Sequence, residues 1–217
     1  MKKIITAFVL AVFVSLQTTA QDKPFWNEIQ NFKKQDSLSR LKKNSIVFIG
    51  SSSFRMWNDA ETIFKKYNVI NRGFGGSGLK DANDYIKELV LDYKPKQVVI
   101  YSGENDIASG VSGKETFERF STFFNNIRTQ LPKTNIAYVS MKLSPSRIQF
   151  AEELLKANAL IEEYIKTQKN ASYIDITSKM LDSAGKLRPD LFLNDMLHMN
   201  PKGYAIWQEA ITPYLIK

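Results

Sequence analysis

Ser45-Ile46-Val47-Phe48-Ile49-Gly50-Ser51-Ser52-Ser53 is the stretch on which the reading of this sequence turns. A short apolar run, rich in residues that suit a buried strand, stops at a glycine followed by three hydroxyl side chains. Four later runs have the same character: Asn68–Ile70, Gln97–Tyr101, Asn135–Ser140 and Ser172–Ile176. Between them, apolar residues recur at helical spacing over Leu79–Tyr93, Thr116–Leu131 and Ile148–Lys169. Trp26–Leu41 predicts a further amphipathic helix before the first strand. Pro201, at a first helical turn capped by Asn200, opens a last helix running towards Ile211. Strand alternating with helix predicts an α/β fold in which helices cover both faces of a parallel sheet. Ligands of such sheets bind at the carboxyl ends of the strands, so functional residues are expected just after each run.

The ends and the composition narrow the class. Lys2 and Lys3, the apolar run Ile4–Leu16 and the small residues Thr18-Thr19-Ala20 have the layout of a secretory signal peptide. Residues 1–20 are therefore expected to be removed after Ala20, leaving residues 21–217 as one secreted or periplasmic domain. The apolar run falls short of the roughly 20 residues that span a bilayer, and no second stretch reaches that length, so no stable membrane insertion is expected. The chain has no cysteine, which excludes disulfides, thiolate nucleophiles and the common zinc cages. Its single histidine cannot make the usual zinc site unless carboxylates supply the rest, so neither metal nor cofactor is expected. The formal charge is +8, but the lysines are scattered singly or in pairs such as Lys33-Lys34, Lys42-Lys43 and Lys65-Lys66. That pattern describes a solvated basic surface rather than a nucleic-acid site. Nothing in it sets an oligomeric state.

Four blocks at four strand ends carry the chemistry. The first, Gly50-Ser51-Ser52-Ser53, reads either as a capped strand-to-helix turn or as a presented nucleophile. The second, Asn71-Arg72-Gly73-Phe74-Gly75-Gly76-Ser77-Gly78, formally contains G-x-G-x-x-G, with Asp92 near the distance expected of a ribose-binding acid. It follows the second strand rather than the first, and an exported protein meets little dinucleotide. A loop whose bare N–H groups approach an anion fits better. The third, Gly103-Glu104-Asn105-Asp106, offers two carboxylates as acid and base, as metal ligands or as turn residues. It also offers an Asn amide that can face a developing oxyanion without titrating. The fourth, Asn194-Asp195-Met196-Leu197-His198, places an acid three residues before the lone histidine, close enough to orient the ring. Together the blocks supply nucleophile, base, orienting acid and oxyanion donors.

These blocks, in this order, resemble the SGNH/GDSL hydrolase superfamily over essentially the whole chain from Ser45 onward. The N-x-G-x-G-G pattern from Asn71 is similar to the branch containing platelet-activating-factor acetylhydrolase catalytic subunits. The resemblance implies a flavodoxin-like three-layer α/β/α sandwich with a five-stranded parallel sheet. It also implies a catalytic set of Ser52, Asp195 and His198, and an oxyanion hole made by the Ser52 N–H, Gly76 and Asn105. The family's usual Asp in the first block is Ser51 here, which removes a negative charge beside the nucleophile. G-x-S-x-G is absent, so an α/β-hydrolase elbow is not indicated.

The expected activity is that of a secreted serine esterase acting on short, chiefly acetyl, esters of small molecules or carbohydrates. Two other readings stand beside it: a lysophospholipase or lipase-like acylhydrolase, and a non-catalytic periplasmic binding module on the same fold. The loop Ser144-Pro145-Ser146-Arg147 is expected to shape the pocket. Arg55, Trp57 and Arg72 are equally candidates for substrate contact, for packing or for the surface.

Overall fold

The computed structural model describes residues 23–38 and 44–217. The expected signal peptide at residues 1–20 and the end of the helix expected over Trp26–Leu41 lie outside the described residues. Five strands form one parallel sheet: β1 (Ile46–Gly50), β2 (Val69–Gly73), β3 (Gln97–Tyr101), β4 (Asn135–Val139) and β5 (Ala171–Ile174). Their spatial order is β2-β1-β3-β4-β5. The described α-helices are α1 (Trp26–Leu38), α2 (Ser52–Arg55), α3 (Ala60–Ile63), α4 (Leu79–Asp84), α5 (Ile86–Leu89), α6 (Glu104–Ala108), α7 (Gly113–Gln130), α8 (Ala151–Lys166) and α9 (Pro201–Ile211).

Strand side chains alternate between the two faces, and each face has its own core. Ile46, Phe48, Val99, Tyr101, Val139 and Ile174 pack with Phe54 of α2, Ala60 of α3 and Trp207 of α9. Val47, Ile49, Val98, Ile100 and Ile136 pack on the other side with Leu79 of α4, Phe120 of α7 and Ile161 of α8. Because β1 and β3 are buried on both faces, they read as unbroken apolar runs rather than alternating ones. The layered fold and the five strands follow the sequence pattern.

Several element ends shift slightly from the sequence reading, and three departures carry a physical reason. β2 continues through Asn71 and Arg72, because Phe48 and Ile49 of β1 pair with them and their polarity does not prevent the ladder. The apolar stripe of Leu79–Tyr93 is not one helix. It breaks at Tyr85 and again at Val90, whose φ and ψ are non-helical, and ends in a 3-10 turn at Leu91–Tyr93. Tyr85 there stacks on Trp26 and donates through its hydroxyl to Pro24 O at 2.6 Å, so tertiary contacts override the local period. Finally, the residues before α8 form a 3-10 segment, Pro145–Phe150, kinked at Arg147.

The register places the functional ends side by side. Gly50 at the end of β1 lies opposite Gly73 of β2 and Tyr101 of β3, so three loops leave the sheet level with one another. A Cβ at Gly50 would lie 1.9 Å from the Tyr101 carbonyl oxygen, a distance no side chain tolerates. β1 is also where the chain order reverses across the sheet, the switch point at which this architecture opens a crevice.

Candidate active site

Ser52 stands at the first turn of α2, the residue after next from the close-packed Gly50. Ser51 caps that helix with extended backbone and no side-chain cap bond, and its N–H donates to Tyr101 O at 3.1 Å. The Ser51 and Ser53 side chains are buried, so of the three hydroxyl residues it is Ser52 that lines the open cleft.

His198 reaches Ser52 from the far end of the chain. The segment Phe192–Met199 folds back on itself, joined by a bridge between those two residues and by Leu193 N donating to His198 O at 2.7 Å. Met196 takes a left-handed φ of 53° in this turn. Asp195 Oδ1 accepts the N–H groups of Leu197 (3.0 Å) and His198 (2.9 Å), which fixes the carboxylate beside the ring. Its Oδ2 lies 2.5 Å from His198 Nδ1, and His198 Nε2 lies 2.8 Å from Ser52 Oγ. Asn200 anchors the base of the turn, donating to Asp190 O and Phe192 O and capping α9 through Lys202 N and Gly203 N.

The protonation states follow from the partners. Burial works against ionisation of Asp195, but its hydrogen bonds from the His198 ring and from backbone N–H groups outweigh that and lower its pKa to about 2. An ionised carboxylate only accepts, so Nδ1 carries the ring proton. The lone pair of Nε2 is then left to accept from the Ser52 hydroxyl. Such a chain can strip a proton from the hydroxyl as it attacks.

Donors for a developing anion line the same cleft. Gly76 has a φ of 76°, which a side chain adopts only with strain, and its N–H has no acceptor among the described residues. The N–H of Ser52, first in its helix, is likewise without one. Asn105 Nδ2 donates to Ser77 O at 2.9 Å, and Oδ1 accepts from Arg147 Nη1 at 3.0 Å. Ser77 O can only accept and Arg147 can only donate, so the amide cannot be flipped, and Nδ2 keeps a second hydrogen. Glu28, Arg55, Gly75, Arg147 and Leu197 complete a cleft of about 490 Å³ around Ser52, Gly76, Asn105 and His198.

The carboxylates flanking Asn105 hold the loop; they do not face the cleft as an acid–base pair. Asp106 accepts from Leu79 N at 2.9 Å and pairs with Arg119 at 2.8 Å, tying the glycine loop to α6 and α7. Glu104 is buried and accepts from Tyr101 OH at 2.6 Å and Lys142 Nζ at 2.8 Å. Burial opposes its ionisation, yet the Lys142 charge and hydrogen bond, with those of Tyr101 and Arg147, hold it below the usual carboxylate range. Among the described residues no group of three or more His, Asp or Glu is arranged to hold a metal ion.

Of the five residues expected from the sequence, the structure brings Ser52, Gly76, Asn105 and His198 to one cleft, and Asp195 stands behind the His198 ring. Arg147 was legible only as part of a pocket loop, Glu104 only as a candidate acid, base, metal ligand or turn residue, and Glu28 and Lys142 not at all. Lys142 in particular follows a strand as a solvated lysine would, and its acid lies 38 residues away in sequence. Of the three candidates for substrate contact, only Arg55 lines the cleft. Trp57 is a core residue between Phe64, Tyr204 and Trp207. Arg72 is buried on the opposite side, paired with Asp36 of α1 at 2.5 Å, donating to Tyr93 OH at 2.6 Å and stacked on Phe32. Strand alternation explains that: Asn71 reaches α2 through Phe54 O, so its neighbour Arg72 must point the other way. Asp92 pairs with Lys87 on the surface.

The chain belongs to the GDSL-like lipase/acylhydrolase family, which it matches over residues 44–206. Its fold is that of GDSL/SGNH acylhydrolases, a family of ester hydrolases. It is similar to the structure of a candidate acylhydrolase from Bacteroides fragilis, at 22% identity and a TM-score of 0.76, covering 88% of this chain and 96% of that one. A candidate platelet activating factor structure from Streptococcus pneumonia is similar at 20% identity and a TM-score of 0.76, covering 88% and 92%. The acetylxylan esterase Axe2 from Geobacillus stearothermophilus is similar at 14% identity and a TM-score of 0.66, covering 79% and 94%. No curated protein matches the sequence significantly. At these identities the structural likenesses speak to the fold alone.

The Asp195 pKa of about 2 fixes a pH dependence. Lowered on folding from 3.8, it stabilises the folded state above about pH 4, and that contribution is lost as pH falls towards 2. Asp195 therefore stays ionised wherever an ester assay is run. Acid unfolding followed by circular dichroism should show wild type losing stability between about pH 4 and pH 2 relative to Asp195→Asn. An identical acid transition in the two proteins would contradict this arrangement.

Proposed function

We propose that the protein is a serine esterase in which Ser52 is the nucleophile, His198 the general base and Asp195 the group that orients the imidazole. The observation that carries the reading is the unbroken line Asp195 Oδ2–His198 Nδ1 and His198 Nε2–Ser52 Oγ, at 2.5 Å and 2.8 Å. Ser52 Oγ attacks the ester carbonyl as its proton passes to Nε2. The N–H groups of Ser52 and Gly76 and the Asn105 amide take the tetrahedral oxyanion. Nε2 then returns its proton to the leaving alcohol, and a water activated by the same base hydrolyses the acyl-enzyme. No step in this sequence requires a metal or organic cofactor. The non-catalytic alternative would have no use for a hydroxyl, a ring and an acid in this line.

For substrate, the reading is a short acyl group, chiefly acetyl, on a small polar carrier such as a carbohydrate. In support, Glu28, Arg55, Asn105 and Arg147 make the cleft wall polar and Leu197 is its one large apolar side chain. One observation favours longer chains: an apolar pocket of about 470 Å³ behind the His198 turn, lined by Met56, Trp57, Ile63, Leu193 and Tyr204. It shares no lining residue with the Ser52 cleft, so the short-acyl reading stands first.

Ser52→Ala should lower kcat by several orders of magnitude, and His198→Ala by a similar amount, while Asp195→Asn loses less. Across p-nitrophenyl esters from C2 to C12, kcat/KM should be highest at C2 and fall as the chain lengthens, because each methylene the cleft cannot seat forfeits about 1 kcal/mol. A maximum at C8 or beyond would replace this substrate class with a lipase or lysophospholipase one. We also propose export to the periplasm or the medium, on the Lys2–Ala20 pattern. Amino-terminal sequencing of the protein from its native cell should begin at Gln21, and a start at Met1 would refute export by cleavage.

A further inference from the structure

Arg147 occupies a place that the reaction scheme above does not use. It sits in the kinked 3-10 segment after β4, partly exposed, on the wall of the Ser52 cleft. Its Nη1 donates to Asn105 Oδ1 at 3.0 Å and lies 3.5 Å from Glu104 Oε1. Glu104 in turn is buried against Lys142, whose ammonium also lies 3.4 Å from Ser53 Oγ and 3.3 Å from Tyr101 OH. Three strand ends thus meet through one carboxylate: Ser53 after β1, Glu104 and Asn105 after β3, Lys142 and Arg147 after β4. The segment carrying Arg147 is tied to the His198 turn as well, since Ser146 donates through both its N–H and its hydroxyl to Met196 O, at 3.1 and 3.0 Å.

We propose that Arg147, seated on the buried Glu104–Lys142 pair, is a positioning residue that locks the Asn105 amide with one N–H free for the oxyanion. The Asn105 amide would otherwise rotate about its terminal torsion, a broad and soft one. Ser77 O holds only the nitrogen end of it. Arg147, a pure donor, holds the oxygen end and makes the flipped amide place donor against donor. A cation hydrogen-bonded to the amide oxygen also draws electron density from the nitrogen, so the remaining N–H donates more strongly to a negative oxygen. Two cations on one carboxylate leave the cluster with an excess positive charge beside the place where negative charge develops. This role rests on Ser52 as nucleophile and Asn105 as oxyanion donor, and deepens that reading.

The test is a double-mutant cycle on the full-length mature protein with p-nitrophenyl acetate as substrate. Asn105→Ala should lower kcat about a hundredfold, and Arg147→Ala about tenfold or more, each with KM within about twofold of wild type. The double variant should match Asn105→Ala alone, because Arg147 acts through that amide. Arg147→Lys, which keeps one donor but not the planar fork, should fall between wild type and Arg147→Ala. If Arg147→Ala does not fold by thermal melting, the same cycle run with Arg147→Lys must show its loss vanishing in the Asn105→Ala background. Losses that multiply in the double variant, or an Arg147 variant that raises KM and leaves kcat intact, would overturn the proposal and make Arg147 a substrate contact. Ser52→Ala at the wild-type rate would fail at a different point, since it removes the nucleophile assignment on which both residues depend.

Discussion

Gly50 meets the carbonyl of Tyr101 at a distance that excludes any side chain, and this contact sets the geometry of the whole site. It allows the end of β1 to pack flush against β3, so that the residue after next, Ser52, begins a helix rather than continuing a strand. The same register levels β1 with β2, which brings the Gly73–Gly78 loop alongside. Phe74 N donates back to Gly50 O at 2.9 Å, closing the glycine loop onto the Ser52 turn. From there Asp106 pins the loop through Leu79 N, and Asn105, one residue earlier, comes to the cleft. A bulkier residue at position 50 would pry apart β1 and β3 and move each of these groups by a different amount.

A second set of charges lies beneath the cleft, apart from the ionised Asp195. Glu104, Lys142 and Tyr101 form a buried cluster held through Glu104 Oε2, and burial raises the Tyr101 phenol well above its ordinary value, so it remains a donor. Such a cluster is expensive to break, since removing one partner of a buried ion pair costs about 3–5 kcal/mol. Its position gives it a task beyond stability: it is the floor shared by the loops after β1, β3 and β4. A second pair, Arg72 with Asp36, does comparable work on the opposite face. It holds α1 against the sheet, and α1 in turn delivers Glu28, whose carboxylate accepts from Gly75 N at 3.3 Å and lies 4.0 Å from Arg55 Nε.

The strands, their alternation with helices and the residues that close the site were legible because each rests on a local signal. Apolar runs announce buried strands, and glycine, serine, asparagine and the lone histidine fall at their ends. What sequence could not show depends on partners distant along the chain. Arg72 lies one residue from Asn71, but the two point to opposite faces, and only the Asp36 partner on α1 reveals which. The apolar stripe of Leu79–Tyr93 has a helical period along its length. It is nevertheless broken, because Tyr85 is claimed by Trp26 and by the Pro24 carbonyl. Lys142 is the clearest case: an ammonium is ordinarily read as solvated, and only its proximity to Glu104 makes it a buried cation. The departure at Ser51 is absorbed quietly, as a buried helix cap whose N–H still bonds to Tyr101 O.

The central claim is that the hydroxyl of Ser52 is the reactive nucleophile and that His198 makes it so. Treatment of the folded protein with a fluorophosphonate, followed by peptide mass mapping, tests both parts at once. The account predicts a single adduct per chain, on Ser52, formed rapidly in the wild type and nearly absent in His198→Ala. No adduct, an adduct on Ser51 or Ser53, or equal labelling of the His198→Ala variant would contradict it.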